Sequence, residues 1–436
     1  MPLLAGFSRR DITPSEPCFL VGYPHEERTS TGAHDSLFAS ALYLESDGVR
    51  LLLISLDLLF ISAGWTRECR KEIAAATGIP AGNILIAATH THSGPHTVEV
   101  MAWRDDPIVP PVDQQYLDFV REKAVDASAS AAQEKQSAEL AWTRAEVGGL
   151  VGGNRLDPEG PEDTEAGLLF VRKKADLSPL AVLSIYGMHP TVLHADTTCF
   201  SSDFIGYARR EVEETFPGAG MVYLNGVCGN QSPRRVAREK TIAEAERLGR
   251  LLGGRMAKSL IGIRSFSSRP LLAAESTTLQ LQGKVFPEIA EAEKALTAAR
   301  ENLARLGSAD AAQRRTAECT VFGAEEVRVL AKAEAAGDAE ELRQKYASVE
   351  VQALRIGGVI VAAWPGEFFV EYGLEAKARS GAELHIATMA NGELQGYVVT
   401  PEAAAAGGYE AQMSLFPPAA GKQVIDATLE LIDRLQ

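Results

Sequence analysis

The 436-residue sequence predicts an α/β fold of mixed β-sheets flanked by helices. Three observations carry this reading. From residue 40 to about 265, apolar β-rich runs alternate with amphipathic helical stretches. Several of those runs end in polar residues, as in ILIAATHTH, LAVLSIYGMHP and MVYLNGVCGN. After a stretch rich in Ala, Glu, Lys and Arg over residues 285–347, the strand pattern returns with VEVQALRIGGVIVAAWPGE.

The elements follow in order. LYLESDGVRLLLISLDLLF reads as a hairpin turning at Asp47-Gly48, because both residues tolerate the positive φ of a tight turn. WTRECRKEIAAATG is a helix closed by Gly78, ILIAATHTH a strand, and QQYLDFVREKAVDASASAAQEK a longer helix. LAVLSIYGMHP and MVYLNGVCGN are two further strands with the helix DFIGYARREVEETF between them. Residues 285–347 have helical spacing and read as a helical hairpin or lid inserted into the core, most simply a solvated excursion. Gly357-Gly358 turn a last hairpin. No internal repeat is present.

The chain is 46% hydrophobic, enough for a sizeable core in one large unit or two or three subdomains. A net charge of -15 argues against nucleic acid and against an anionic membrane surface, so the expected ligand is small. Cys18, Cys69, Cys199, Cys228 and Cys319 are scattered without C-x-x-C spacing; they read as reduced thiols, not as disulfides or a thiolate zinc cluster. MPLLAGFSRRDITP lacks a basic segment followed by a long apolar run, which leads to the expectation of a cytoplasmic protein. The most apolar window, VRLLLISLDLLFISAGW, is interrupted by Arg50 and Asp57 and offers no membrane anchor.

Chemistry concentrates in three places. In ATHTHSGPHT, His90 and His92 stand two apart at the end of an expected strand and should project to one side, while Ser93-Gly94-Pro95 turns the chain and leaves the direction of His96 open. In YGMHPTVLHADTTCFSSDF, His189 ends another apolar strand and His194 follows in a polar loop. Neutral imidazole is the commonest zinc ligand, and two strand-end histidines would supply two of the three protein ligands of a catalytic zinc. Glu367 in AAWPGEFF is a candidate third, although taken alone a carboxylate at a helix start is better explained by the helix dipole. In YLNGVCGNQSPRR, Gly226 and Gly229 allow tight turns that present Ser232, but the stretch is not a G-x-S-x-G elbow and has no adjacent base. His34, Asp35 and Asp203 read as turn or helix-cap residues, and Asp57 as a group that would orient a metal-bound histidine.

Taken in order, AGFSRRDITP, VGYPHEE, THTHSGP, GGNR, HPT, GNQSPR, PGEF, NGELQGYVVTPE and GGYEAQ resemble the catalytic region of the neutral/alkaline non-lysosomal ceramidase family. The resemblance implies one ceramidase-like catalytic domain over 1–436, with the helical excursion at 285–347 and without the C-terminal β-sandwich domain of secreted members. It implies a single Zn2+ held by His90, His189, Glu367 and Tyr397, with His92, Arg155, Ser232 and Tyr409 beside it as catalytic residues. The expected activity is hydrolysis of an amide, ester or lactone in a soluble small molecule, through zinc-activated water or through Ser232, which the sequence does not separate. Arg234 and Arg235 depart from the uncharged residue usual after Ser-Pro; they point either to a polar or anionic substrate or simply to solvent. The alternatives are an intracellular ceramidase acting on N-acyl-sphingosine and a non-catalytic ligand-binding member of the fold. The expected partner is a small molecule with an amide or ester carbonyl; a homo-oligomer is left open.

Overall fold

A computed structural model describes residues 1–104, 106–306 and 311–436. Eight strands form the larger sheet: β1 (Leu4–Asp11), β2 (Phe38–Ser46), β3 (Val49–Leu56), β4 (Ile84–Ala88), β5 (Gln136–Glu146), β6 (Glu165–Lys173), β7 (Pro179–Tyr186) and β8 (Gly220–Asn225). Their order is β8-β7-β6-β5-β1-β2-β3-β4. The two outer pairs, β3 with β4 and β7 with β8, are parallel; the inner pairs are antiparallel. Parallel pairing requires a crossover. Helices α1 (Ala63–Thr77) and α3 (Phe204–Thr215) provide these, so each edge of the sheet is a β-α-β unit.

The second sheet, β9 (Leu272–Gln280), β10 (Ser348–Ile356), β11 (Val359–Ala363) and β12 (Glu383–Ala387), packs face to face on the first. Alternation along the strands serves two cores at once. Leu42, Leu44, Leu51, Leu53, Leu85 and Ala87 point between the sheets toward Leu354 and Val361. Ala41, Tyr43, Leu52, Ile54, Ile84 and Ile86 point the other way, onto α1 and α2 (Gln114–Gln133). With both faces covered, these strands read as continuous apolar runs. Helix α3 and α4 (Ile242–Ile261) cover β6–β8, and helices late in the chain cover the second sheet, giving an α/β/β/α arrangement.

Local chemistry places the boundaries. The hairpin turns fall at Asp47-Gly48 and Gly357-Gly358, and α1 starts on the Ser62 side chain, which accepts from Trp65 N, and stops at Gly78 in the left-handed region. Residues 285–347 are helical as α5 (Ile289–Arg305), α6 (Ala311–Ala336) and α7 (Asp338–Ala347); residues 307–310 of that stretch lie outside the described residues. Among the described residues no helix is long and apolar enough to cross a membrane, and all five cysteines are free.

One connection decides where the site forms. After β12, Thr388–Asn391 runs between the two edges of the large sheet: Thr388 N donates to Asn225 O (2.7 Å), Ala88 N to Met389 O (3.1 Å) and Asn391 N to Ile86 O (2.7 Å). The carboxyl end of β4 is thereby drawn to those of β7 and β8, which stand at the other end of the sheet order. The carboxyl ends of parallel strands are where α/β sites are usually built.

Candidate metal centre

Strand β4 ends at Ala88, so the THTH stretch is not a strand end as the sequence suggests. His90 adopts a positive φ of 70°, its N donates to Leu58 O (2.8 Å), and the turn, not strand alternation, brings His90 and His92 to one side. Each of three histidines is pinned in the same manner. The Nδ1–H of His90 donates to Leu59 O (3.1 Å), that of His92 to Gly22 O (2.9 Å), and that of His189 to Cys228 O (2.7 Å). A carbonyl accepts only, which assigns the proton to Nδ1 and turns each Nε2 lone pair inward.

These lone pairs converge. His90 Nε2 and His92 Nε2 are 3.4 Å apart, and the ligand atoms of His90, His92 and His189 all lie within 4.8 Å of one another. Glu367 Oε2 stands 2.8 Å from His189 Nε2 and 3.4 Å from His90 Nε2. Burial lowers the basicity of His189, as does Arg155, taking its pKa to about 4 despite Glu367; burial also lowers that of His92, with His90 and His189 adding to it. Burial alone would raise the Glu367 carboxyl, but His90 and His189 outweigh it and hold it well below the usual carboxylate range. Three Nε2 atoms turned inward beside a carboxylate oxygen form a donor set that fits a divalent cation and above all zinc.

Two short strand pairs bring in the remaining groups. Glu367–Phe368 pairs in parallel with Tyr397–Val398, setting Glu367 directly opposite Tyr397. Gln231–Ser232 pairs with Gly153–Asn154, and Arg155 N donates to Asn230 O (2.8 Å), so Arg155 and Ser232 share one wall. Arg155 Nε donates to Glu410 (2.7 Å), its guanidinium carbon lies 5.2 Å from the Tyr397 ring centre, and its buried Nη2 has no partner among the described residues. Tyr409, the first residue of the short helix Tyr409–Met413, has its ring 5.9 Å from that of Tyr397. Arg155, Ser232, Tyr397, Tyr409 and Glu410 line a cavity of about 360 Å³ together with His92 and His189; His90 and Glu367 stand behind it.

Residues 3–222 match the family described as neutral/alkaline non-lysosomal ceramidase, N-terminal. The chain belongs to this ceramidase family. Neutral ceramidases of Drosophila pseudoobscura pseudoobscura and Drosophila melanogaster are each 33% identical over 94 residues, a stretch that covers 21% of this chain and only 13% of either fly protein. Two solved structures share the fold across the whole chain: a ceramidase complexed with C2 (TM-score 0.78, 17% identity) and the neutral ceramidase of Pseudomonas aeruginosa (TM-score 0.75, 18% identity). This chain covers 75% of each.

In this ceramidase-family chain, the eight residues singled out in the sequence, His90, His92, Arg155, His189, Ser232, Glu367, Tyr397 and Tyr409, lie around one centre; two other expectations, for Asp57 and for residues 285–347, are corrected, and the direction of His96, left open by the sequence, is fixed. Asp57 does not reach His90; it forms a buried two-point ion pair with Arg209 (2.7 and 2.9 Å), and backbone carbonyls orient the histidines instead. His96 points away from the centre, with Phe19 edge-on at 6.1 Å. The helical excursion is no solvated bystander, because Arg315, Cys319 and Phe322 of α6 line the cavity. Asp203 caps α3 and also accepts from Leu193 N (2.8 Å).

Several residues that build the site carried no local signal. Asn225, fully buried, accepts from Met188 N (3.2 Å) and donates to Thr89 O (3.2 Å), tying the neighbours of His189 and His90 together. Arg28 is buried under Tyr23 (4.9 Å) and donates to His92 O (3.0 Å) and Thr197 O (2.9 Å). Gly22 has φ +120°, and a Cβ there would stand 2.6 Å from His92 Nδ1, so glycine is needed on both counts. Glu410 is 255 residues from its partner Arg155.

Proposed function

We propose that this chain is a zinc-dependent hydrolase that cleaves an amide, ester or lactone bond in a small molecule. The observation that carries the reading is the convergence of His90, His92, His189 and Glu367, of which His92 and His189 line a cavity of about 360 Å³. His90, His189 and Glu367, with Tyr397 opposite Glu367, are proposed to hold the metal, and His92 to face the substrate. Zinc bound there supplies an activated water and Lewis acidity toward a carbonyl.

The chain's own groups divide the remaining work. Arg155 offers its unpartnered Nη2 to the oxygen that gains charge as the carbonyl is attacked; its charge is held in place by Glu410. Tyr409 lies across the same space with its hydroxyl available to the leaving group. Ser232 Oγ accepts from Arg234 N (3.4 Å), and among the described residues it has no imidazole or carboxylate as hydrogen-bond partner. That supports Ser232 as a positioning group and water as the nucleophile.

A cavity of about 360 Å³ sits at the low end of the range for small-molecule sites, which favours a compact substrate. Hydrolysis of N-acyl-sphingosine is the second reading, favoured by the names of the fly relatives. Zinc content of wild type and His90→Ala, followed by chelator-sensitive hydrolysis of short amides and esters against N-acyl-sphingosine, tests both. Wild type that neither holds nor takes up zinc, or that holds zinc and cleaves nothing, leaves a binding protein and sinks the proposal.

A further inference from the structure

We propose that the mouth of the cavity is a binding site for an anionic group on the substrate, a carboxylate in the first instance, seated on Arg234 with Arg315 facing it. The inference rests on the hydrolase reading for what the site delivers, and on the following for the site itself.

The chain as a whole carries a net charge of -15, yet the cavity is lined by Arg155, Arg234, Arg238, Lys240 and Arg315 against only Glu239 and Glu410. The cations come from three places distant in sequence: Arg155 just after the short strand Gly153–Asn154, Arg234, Arg238 and Lys240 in the stretch after Ser232, and Arg315 on helix α6. Their charges are not equally matched. Arg155 is taken up by Glu410 (2.7 Å), and Arg315 has Glu318 at 3.3 Å and the Phe322 ring at 5.6 Å. Arg234 is half-buried and, among the described residues, has no carboxylate and no side-chain hydrogen bond. Burial weakens its hold on its proton, and the neighbouring charges of Arg155 and Arg315 add to this, while Cys319 and the Glu410 carboxylate, which is already paired with Arg155, oppose it without outweighing it.

His194 lines the same cavity, with its ring 4.6 Å from that of Tyr23, and is pushed down to about 3, first by burial and then by Arg315, Lys240, Arg28 and Arg234. Withdrawing a guanidinium from water without a counter-ion is costly, and the partner its planar fork fits is a carboxylate or a phosphate. Arg234 follows Ser232 by two residues, and Arg235 Nη2 bonds Arg155 O (3.3 Å), so the loop that carries the cation is fastened to the wall that holds the reacting carbonyl. A substrate bound there would carry its charge a few bonds from the scissile carbonyl. The class is an acidic small-molecule amide or ester, with phosphate as the other anion of the same geometry.

Matched neutral and charged substrates test this. The zinc-loaded protein is given succinyl para-nitroanilide and its neutral succinamoyl counterpart, and N-acetylglycine with N-acetylglycinamide, which move the charge between the acyl and amine halves. Binding of succinate and of inorganic phosphate is measured in parallel by calorimetry on wild type, Arg234→Gln and Arg234→Lys. The expected result is at least a tenfold preference in kcat/KM for one charged member, a ratio that falls at least tenfold in Arg234→Gln and partly recovers in Arg234→Lys. Succinate or phosphate binding should weaken in Arg234→Gln, and the tighter of the two names the anion. An anion held only by the metal would bind wild type and Arg234→Gln equally, and that result overturns the proposal, as does a kcat/KM ratio near one in wild type. If no substrate is cleaved, the hydrolase reading fails by itself. Arg234-dependent anion binding would then still uphold the site, and its absence would overturn it.

Discussion

His189 Nε2 lies 2.8 Å from Glu367 Oε2, and that contact joins the two sheets, because His189 follows β7 and Glu367 follows β11. Neither loop presents a complete site, and the metal-binding set exists only where they meet.

Glu367→Gln keeps the size of the side chain but replaces the ionised oxygen that faces His90 and His189. Zinc content measured by elemental analysis should fall from near-stoichiometric to a small fraction, with the circular dichroism spectrum unchanged. Full retention of zinc in a folded Glu367→Gln would remove Glu367 from the ligand set.

Asn225 is a positioning residue that touches no proposed ligand and ties together the backbones beside His90 and His189. Asn225→Leu fills the same space without either hydrogen bond. Loss of groups that orient ligands typically costs ~10–100-fold in metal affinity. Competition with a chromophoric chelator reads this loss, and an unchanged zinc affinity in folded protein would show that the loops converge without Asn225.

Asp57 and Arg209 separate a structural role from a metal-orienting one. Asp57→Ala leaves Arg209 as a buried, uncompensated charge and should cost about 3–5 kcal/mol in urea unfolding. Zinc per folded chain should not change. A zinc loss matching that of His90→Ala would restore Asp57 to the metal centre.

Arg155→Lys keeps a positive charge near Glu410 but cannot offer both Nε and Nη2. If the free Nη2 steadies developing charge on the substrate, kcat should fall roughly 10²–10³-fold, the cost of losing one such donor, with a smaller change in KM. A change confined to KM would make Arg155 a ground-state binder.

Glu326 on α6 is fully buried, accepts from Trp103 Nε1 (2.6 Å), and has its carboxyl raised by burial from 4.5 to about 8, with Glu325 adding to the rise. The unfolded chain releases this proton first, so the folded state holds more protons between those values, and stability falls as pH rises from about 4.5 toward 8. Glu326→Gln does not titrate. Its Tm advantage over wild type should be small at acid pH and grow through pH 8, by a roughly few-kcal/mol effect at full extent. A difference independent of pH would show that Glu326 is ionised in the folded protein.

Much of the architecture was legible because its causes are local. Asp47-Gly48 and Gly357-Gly358 turn hairpins wherever they stand between apolar runs, and Gly78 ends a helix through its own backbone freedom. The residues that meet around the centre could be singled out because the resemblance ties each to a short motif, from THTH to GGYEAQ. Alternation misled at His90, where the loop takes a positive φ that no pattern of hydrophobicity encodes. The role of α6 was hidden for a related reason: an Ala- and Glu-rich amphipathic helix has the same composition whether it faces solvent or, through Arg315 and Cys319, a cavity.

By itself, then, the sequence determined the class of fold, the turns, the family and the residue types able to hold zinc, all of which depend on near neighbours in the chain. Tertiary structure alone decided that Thr388–Asn391 closes the two edges of the sheet, that Glu410 reaches Arg155 across 255 positions, and that Arg234 lines the cavity with no ion pair to a carboxylate among the described residues. The physical reason is that burial and charge are set by what packs against a side chain, and for these residues the packing partners come from elements far away in sequence.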